Sequence, residues 1–184
     1  MVRLQGSESV VEALAYWKTI TVDHSNLLER LIAKLEESGI AYCVVGGQAV
    51  NAYVEPLVSL DLDLAVAAAD VERIAPILES EFAVERFPHS INVSQQGSDL
   101  RVQFQTDTRY FDFPGRSERR SVLGLDLPVA RLQDVLDGKV WAALDSSRRP
   151  SKRQKDLADI SRILERFPEL RSRVPEELLE RLVS

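Results

Sequence analysis

The apolar positions of this chain change period several times, and each change marks an element. Leu27, Leu28, Leu31, Ile32 and Leu35 recur at helical spacing, which predicts an amphipathic helix. Asp23 or Ser25 stands where its cap belongs, and Gly39 where it should stop. A shorter helix is predicted before it, over residues 9–18, from Val10, Val11, Leu14 and Ala15. The apolar run 41–45 then reads as a buried strand that ends directly on Gly46-Gly47. A short helix carrying Ala49, Val50 and Tyr53 follows and stops before Pro56. Residues 60–66 read as a strand, with apolar and polar positions alternating over 60–64, the period of a half-buried strand. Asp70 opens a helix with Val71, Ile74, Ile77 and Leu78 on one face. Strand-like segments come next at 83–87, 91–95 and 100–106, with Gly97-Ser98-Asp99 as a three-residue hairpin signal between the last two. Residues 121–129 predict one more strand. From Arg131 onward the pattern is helical, over 132–144, 151–167 and 175–183, with Pro175 suited to a first turn.

This order predicts an α/β (α+β) fold, a mixed central sheet flanked by helices with a C-terminal helical unit. A doubly wound parallel sheet fits less well because of the hairpin. The 184 residues suit one domain spanning 1–184, with the sheet over about 22–130 and the helical part over about 131–184. A chain of this size buries roughly 70% of its unfolded surface and needs no disulfide or structural metal. Cys43, the single cysteine, sits in an apolar run and reads as packing. The N-terminal residues show no apolar secretory core, and no run of about 18 apolar residues occurs. The expectation is a soluble, cytoplasmic protein with no membrane association.

A formal charge of −6 argues against a whole-surface nucleic-acid binder. The distribution adds something the sum hides. Lys139, Arg148, Arg149, Lys152, Arg153 and Lys155 face a single acid, Asp145, across that stretch. It reads either as a solvated loop with helix-start charges or as a local phosphate-binding patch.

Three features bear on chemistry. On a strand over 60–66, Leu60, Leu62, Leu64 and Val66 share one face, so Asp61 and Asp63 leave the other together, about 7 Å apart along the strand. Paired carboxylates repel, and a hard divalent cation such as Mg²⁺ between them removes the repulsion. Asp-x-Asp alone is equally what a strand with a wet face shows. Gly46-Gly47, between a strand and a helix, lets an anion approach exposed backbone N–H groups, or simply makes a tight turn. Neither a P-loop nor a Rossmann fingerprint is present. Lys139 falls on the apolar stripe of its helix with Leu132, Leu136 and Ala143, so it either snorkels or is held toward an anionic pocket. Asp156 and Asp159 share a helix face, where Lys152 and Lys155 could pair with them locally.

Taken together, Val45-Gly46-Gly47, a thirteen-residue spacer and Asp61-Leu62-Asp63-Leu64 resemble the signature of the polymerase-β-like nucleotidyltransferase superfamily. That resemblance implies a glycine pair holding a triphosphate and aspartates holding catalytic Mg²⁺. Asp134, Lys139 and Ala142, and then Arg153, Lys155, Asp156 and Asp159, are similar to later motifs of the AbiEii/AbiGii-type toxin nucleotidyltransferases, over about residues 27–164. The resemblance implies that Lys139 contacts the triphosphate, that Asp156 completes the active site, and that Arg149, Lys152 and Arg153 meet nucleotide or acceptor phosphates. One position departs from it. Gln103 stands where many members of the superfamily carry a third carboxylate, and an amide is a poorer Mg²⁺ ligand.

The implied activity is transfer of a nucleoside monophosphate from a nucleoside triphosphate to an acceptor hydroxyl. The acceptor could be the 3′ end of a transfer RNA, reached through the basic patch. The protein would then be the toxin of a toxin–antitoxin pair, with an antitoxin protein as partner. Transfer to a small hydroxylated molecule or a protein side chain, and a non-catalytic member that only binds nucleotide or a partner, remain open beside it. His24 and His89 have no recognisable partners in the sequence.

Overall fold

A computed structural model describes residues 26–182. The helix expected over 9–18, the caps at Asp23 and Ser25, His24 and residue 183 lie outside the described residues. The helix expected over 175–183 is cut short, ending at Leu179 with residues 180–182 in a turn and bend. Among the described residues seven strands form one mixed sheet, in the order β3-β4-β5-β2-β1-β7-β6.

Helix α1 (Leu27–Glu37) buries the five predicted apolar residues, and Gly39 follows it with φ +63. Asn26 stands at its N-cap position in a left-handed conformation, and its own side chain makes no capping hydrogen bond. Strand β1 (Tyr42–Val45) is buried throughout, as a central strand must be. Helix α2 (Gly46–Asn51) begins on the glycines themselves. β2 (Asp61–Val66) pairs antiparallel with β1 on one side and parallel with β5 (Arg101–Gln105) on the other. A short 3-10 turn, Ala68–Asp70, leads into α3 (Val71–Glu79). Asp70 does not cap that helix. Its carboxylate is buried and takes the Ala41 N–H at 2.8 Å, while Arg73 pairs with its other oxygen.

β3 (Ala83–Phe87) forms one edge and runs antiparallel to β4 (Ser90–Ser94), which runs antiparallel to β5. The region expected to add one strand holds two, β6 (Glu118–Val122) and β7 (Leu125–Val129). Leu123 and Gly124 turn the chain between them with φ values of 53 and 81. Leu123 concealed that turn, because a non-glycine residue at positive φ is uncommon.

Helices α4 (Leu132–Leu144) and α5 (Pro150–Arg166) pack on each other. A 3-10 segment, Pro168–Arg173, and a last short helix, α6 (Glu176–Leu179), close the described chain. Cys43 is fully buried among apolar side chains, and burial raises its thiol pKa far above the usual value, so it stays an unreactive thiol. Among the described residues no helix is long and apolar enough to cross a membrane.

Candidate active site

Two structural facts bring the glycine pair and the aspartates together. Antiparallel pairing of β1 with β2 sets Val45 opposite Asp63. The residue after Val45 is therefore the neighbour of that carboxylate. Gly46 adopts φ +66, and a Cβ built on it would stand 2.2 Å from Asp63 Oδ2. Only glycine fits there, for reasons of both backbone and space. Helix α2 has just six residues, so the glycines contribute close approach more than a helix dipole.

The spacer is folded by its own side chains. Gln48 Nε2 donates to the Ser59 carbonyl at 2.9 Å. Asn51 spans the loop twice, donating to the Leu57 carbonyl at 2.7 Å and accepting from the Leu57 N–H at 3.0 Å. From α5, Arg162 donates to Asn51 Oδ1 at 3.1 Å and to the Glu55 carbonyl. These contacts deliver the chain to Asp61 at a defined place.

Asp61 and Asp63 leave β2 on its half-buried face, while Leu62 and Leu64 are fully buried. Asp61 meets Lys152 Nζ at 3.5 Å and, loosely, Arg101 at 3.9 Å. Both cations are partly exposed, so neither locks the carboxylate. Among the described residues, no side chain hydrogen-bonds or ion-pairs with Asp63. Burial raises its pKa above the usual carboxylate range and Asp61 adds to this, against the opposing charges of Lys139, Arg148 and Lys152. Among the described residues, no group of three or more His, Cys, Asp or Glu side chains converges as a metal site.

The register places the position of the expected third acid beside Asp63. Parallel pairing sets Asp63 opposite Gln103. Both ends of that amide are engaged: Nε2 donates to Asn92 Oδ1 at 3.0 Å and Oε1 accepts from Gln105 at 3.1 Å. Two carboxylates on one strand face, one of them packed against the Gly46 backbone, are a donor set that fits one hard cation completing its shell with water and phosphate.

On the helical side the structure replaces local pairing with long-range pairing. Lys139 is buried, with its ammonium 3.0 Å from Asp156 Oδ1 and 2.7 Å from Asp159 Oδ2. Burial works against that charge, but Asp159 and Asp156 outweigh it and hold the lysine pKa above its usual value. Arg148 Nε takes the second Asp156 oxygen at 2.8 Å, and Arg162 pairs with Asp159 at 2.8 Å. The local pairs Lys152–Asp156 and Lys155–Asp159 do not form, since Lys152 reaches across to Asp61 instead. Lys139 therefore does not snorkel. Asp156 has both oxygens occupied. Asp134, matched by motif, forms a two-bond pair with Arg116 at 2.8 Å for each bond and ties α4 to the 114–116 turn.

Two cavities, of about 250 and 430 Å³, meet at this cluster, and Asp63, Gln103, Lys139, Arg148 and Asp156 line both. Gly46 lines the smaller and Gly47 the larger. The smaller one also holds His89, Tyr110, Gly138 and Trp141. The larger is basic on its rim, with Arg101, Lys152 and Lys155. Arg149 and Arg153 line neither.

Sequence reading placed Arg148 only in the general basic patch, and missed His89, Tyr110, Gly138 and Trp141. Gly138 carried a signal, because a glycine inside a helix costs about 1 kcal/mol against alanine. A Cβ there would meet Tyr110 at 3.5 Å, an ordinary van der Waals contact, so the ring alone does not exclude alanine. The others became visible only once β4, β5 and α4 were assembled.

No protein-family model matches the chain, and no curated protein matches its sequence significantly. Its structure is similar to solved ones. The solution structure of the antibiotic-resistance factor ANT(2'')-Ia matches with a TM-score of 0.53 at 14% identity, over 85% of this chain and 94% of that one. A crystal structure of ANT(2'')-Ia in complex with adenylyl-2''-tobramycin matches with a TM-score of 0.50 at 14% identity, over 80% and 97%. The lincomycin-bound lincosamide antibiotic adenylyltransferase LnuA matches at 0.48 and 11% identity, over 76% and 97%. The chain has the nucleotidyltransferase fold, with seven strands among the described residues in one mixed sheet, flanking helices, and a β1–α2 turn that meets the Asp63 carboxylate of β2.

Proposed function

We propose that this protein transfers a nucleoside monophosphate from a nucleoside triphosphate to an acceptor hydroxyl, with release of pyrophosphate. One observation carries the reading: the Asp63 carboxylate is packed on Gly46 so closely that no side chain could replace that hydrogen. An unpaired, partly desolvated carboxylate against a glycine turn is costly unless a cation and an anion are meant to meet there.

Asp61 and Asp63 would hold Mg²⁺, which supplies neutralisation of phosphate charge as it develops in the displacement. Gly46 gives its space to Asp63, and Gly47 beside it leaves room for phosphate oxygens at the backbone. Lys152, beside Asp61, and Lys139, on the wall shared by both cavities, bring positive charge toward those acids. Asp156, with its oxygens on Lys139 and Arg148, positions these two cations.

For the acceptor we favour an RNA 3′ end, with tRNA and a toxin role as the form that resemblance to AbiEii/AbiGii-type proteins suggests. The exposed or half-exposed cations at the start of α5, namely Arg149, Lys152, Arg153 and Lys155, support a polyanionic acceptor over a neutral one. An antitoxin-like protein partner belongs to the same proposal.

The test incubates the purified full chain with each α-labelled nucleoside triphosphate, Mg²⁺ and total RNA, and follows label into RNA, protein and small-molecule fractions. Label in RNA is expected, and Asp61→Asn with Asp63→Asn should lower it by at least about 10³-fold, as losses of transition-state charge stabilisation do. Label retained in that double variant would refute the metal assignment, and label in the small-molecule fraction would replace the RNA reading.

A further inference from the structure

We propose that Arg148 is the residue that grips the polyphosphate between the two cavities, held in orientation by Asp156. This rests on the nucleotidyl-transfer reading and adds a binding residue that the motifs do not contain.

Gly46 lines one cavity and Gly47 the other, so phosphates seated on the glycine pair span the narrow place where the cavities meet. Two cations line both sides of it, Lys139 and Arg148. Lys139 is only 6% exposed, and its ammonium is already shared between two carboxylates. Drawing it toward a phosphate would leave Asp156 and Asp159 buried with less charge against them. Arg148 is different. It is anchored through Nε alone, at 2.8 Å from Asp156 Oδ2, and its side chain is 39% exposed. Among the described residues its two terminal nitrogens make no hydrogen bond.

A guanidinium held by Nε presents both terminal NH₂ groups in one plane, a fork that matches two oxygens of a phosphate. The backbone beneath it is fixed as well. Asp145 Oδ1 accepts from the Ser147 N–H at 2.9 Å and the Ser147 hydroxyl at 2.6 Å. The Arg148 N–H donates to the Asp145 carbonyl at 3.2 Å. Loop and side chain are thus set before the ligand arrives, which spares the ordering cost of binding. The matching ligand class is a linear polyphosphate, either the triphosphate of the nucleotide or the pyrophosphate product.

Inorganic tripolyphosphate is the probe, titrated calorimetrically into the full chain with Mg²⁺. Arg148→Gln should weaken binding about ten- to hundredfold, the range for loss of hydrogen bonds to a charged group. Arg148→Lys should fall between the two, because it keeps charge and loses the fork. Low-millimolar guanidinium should restore binding to Arg148→Ala and leave the parent unchanged, which a purely structural role would not produce. Arg166→Gln, at the far end of α5, should bind as the parent does. Should Arg148→Gln fold poorly, the lysine variant and the guanidinium arm decide the matter.

Unchanged tripolyphosphate affinity in Arg148→Gln, with labelled nucleotide transfer intact, overturns the role of Arg148 and leaves the transfer reading standing. A parent chain that neither binds tripolyphosphate nor transfers any nucleotide overturns both.

Discussion

Gly46 and Asp63 show at the scale of single residues how function constrains this chain. The glycine has φ +66 and faces a carboxylate where a Cβ would belong. Gly46→Ala should therefore combine backbone strain with a clash, destabilising the protein by about 1–3 kcal/mol and abolishing transfer. Urea unfolding with an activity assay checks this, and a fully stable, active alanine variant would contradict the close approach. Asp63 allows a prediction of opposite sign. Burial raises its pKa in the folded protein. An acid of this kind binds its proton more tightly folded than unfolded, so its ionised form lowers stability above the folded pKa, and that cost is relieved as pH falls through it. At neutral pH in chelator, Asp63→Asn should melt higher than the parent, by about 2–4 °C per kcal/mol relieved, while losing activity. A lower melting temperature would show that burial is not what governs this carboxylate.

Between elements, the decisive contact is the buried charge cluster joining α4 and α5. Lys139, Asp156 and Asp159 have side-chain exposures of 8, 2 and 5%. Removing one member of such a cluster strands the others, so Lys139→Met should cost about 3–5 kcal/mol in denaturant unfolding. A loss below about 1 kcal/mol would be that of a surface pair and would contradict the burial. The individual elements were largely legible in the sequence. The stripe of α1, the apolar run of β1 and the alternation of β2 each follow from a period, and α4 matches its predicted range residue for residue. The pairing of charges was not legible. Spacing favoured Lys152 with Asp156 and Lys155 with Asp159, but a buried carboxylate takes the partner that is buried with it. Here that partner is Lys139 from the preceding helix.

The whole molecule is acidic, with a net charge of −6, while the start of α5 is locally basic. That contrast separates the two acceptor classes by salt dependence. Four cations at the start of α5, each meeting one phosphate of a single strand, predict a slope of about −3 in log kcat/KM for RNA against log salt. A small neutral or cationic acceptor would give a shallow or opposite dependence. A flat response with RNA would remove the basic patch from acceptor binding.

What the sequence determined on its own is whatever repeats along the chain or sits at short spacing: the elements, the paired carboxylates of one strand, the glycines before a helix. These are local consequences of side-chain period and backbone freedom. Tertiary structure alone decided that Val45 pairs with Asp63 and so brings Gly46 onto its carboxylate, and that Gln103 lies beside that acid with its amide already engaged. It alone turned a run of basic residues into one arginine on Asp156 and one lysine on Asp61. The reason is that strand register and the docking of two helices set distances between residues far apart in sequence, and no local pattern encodes such distances.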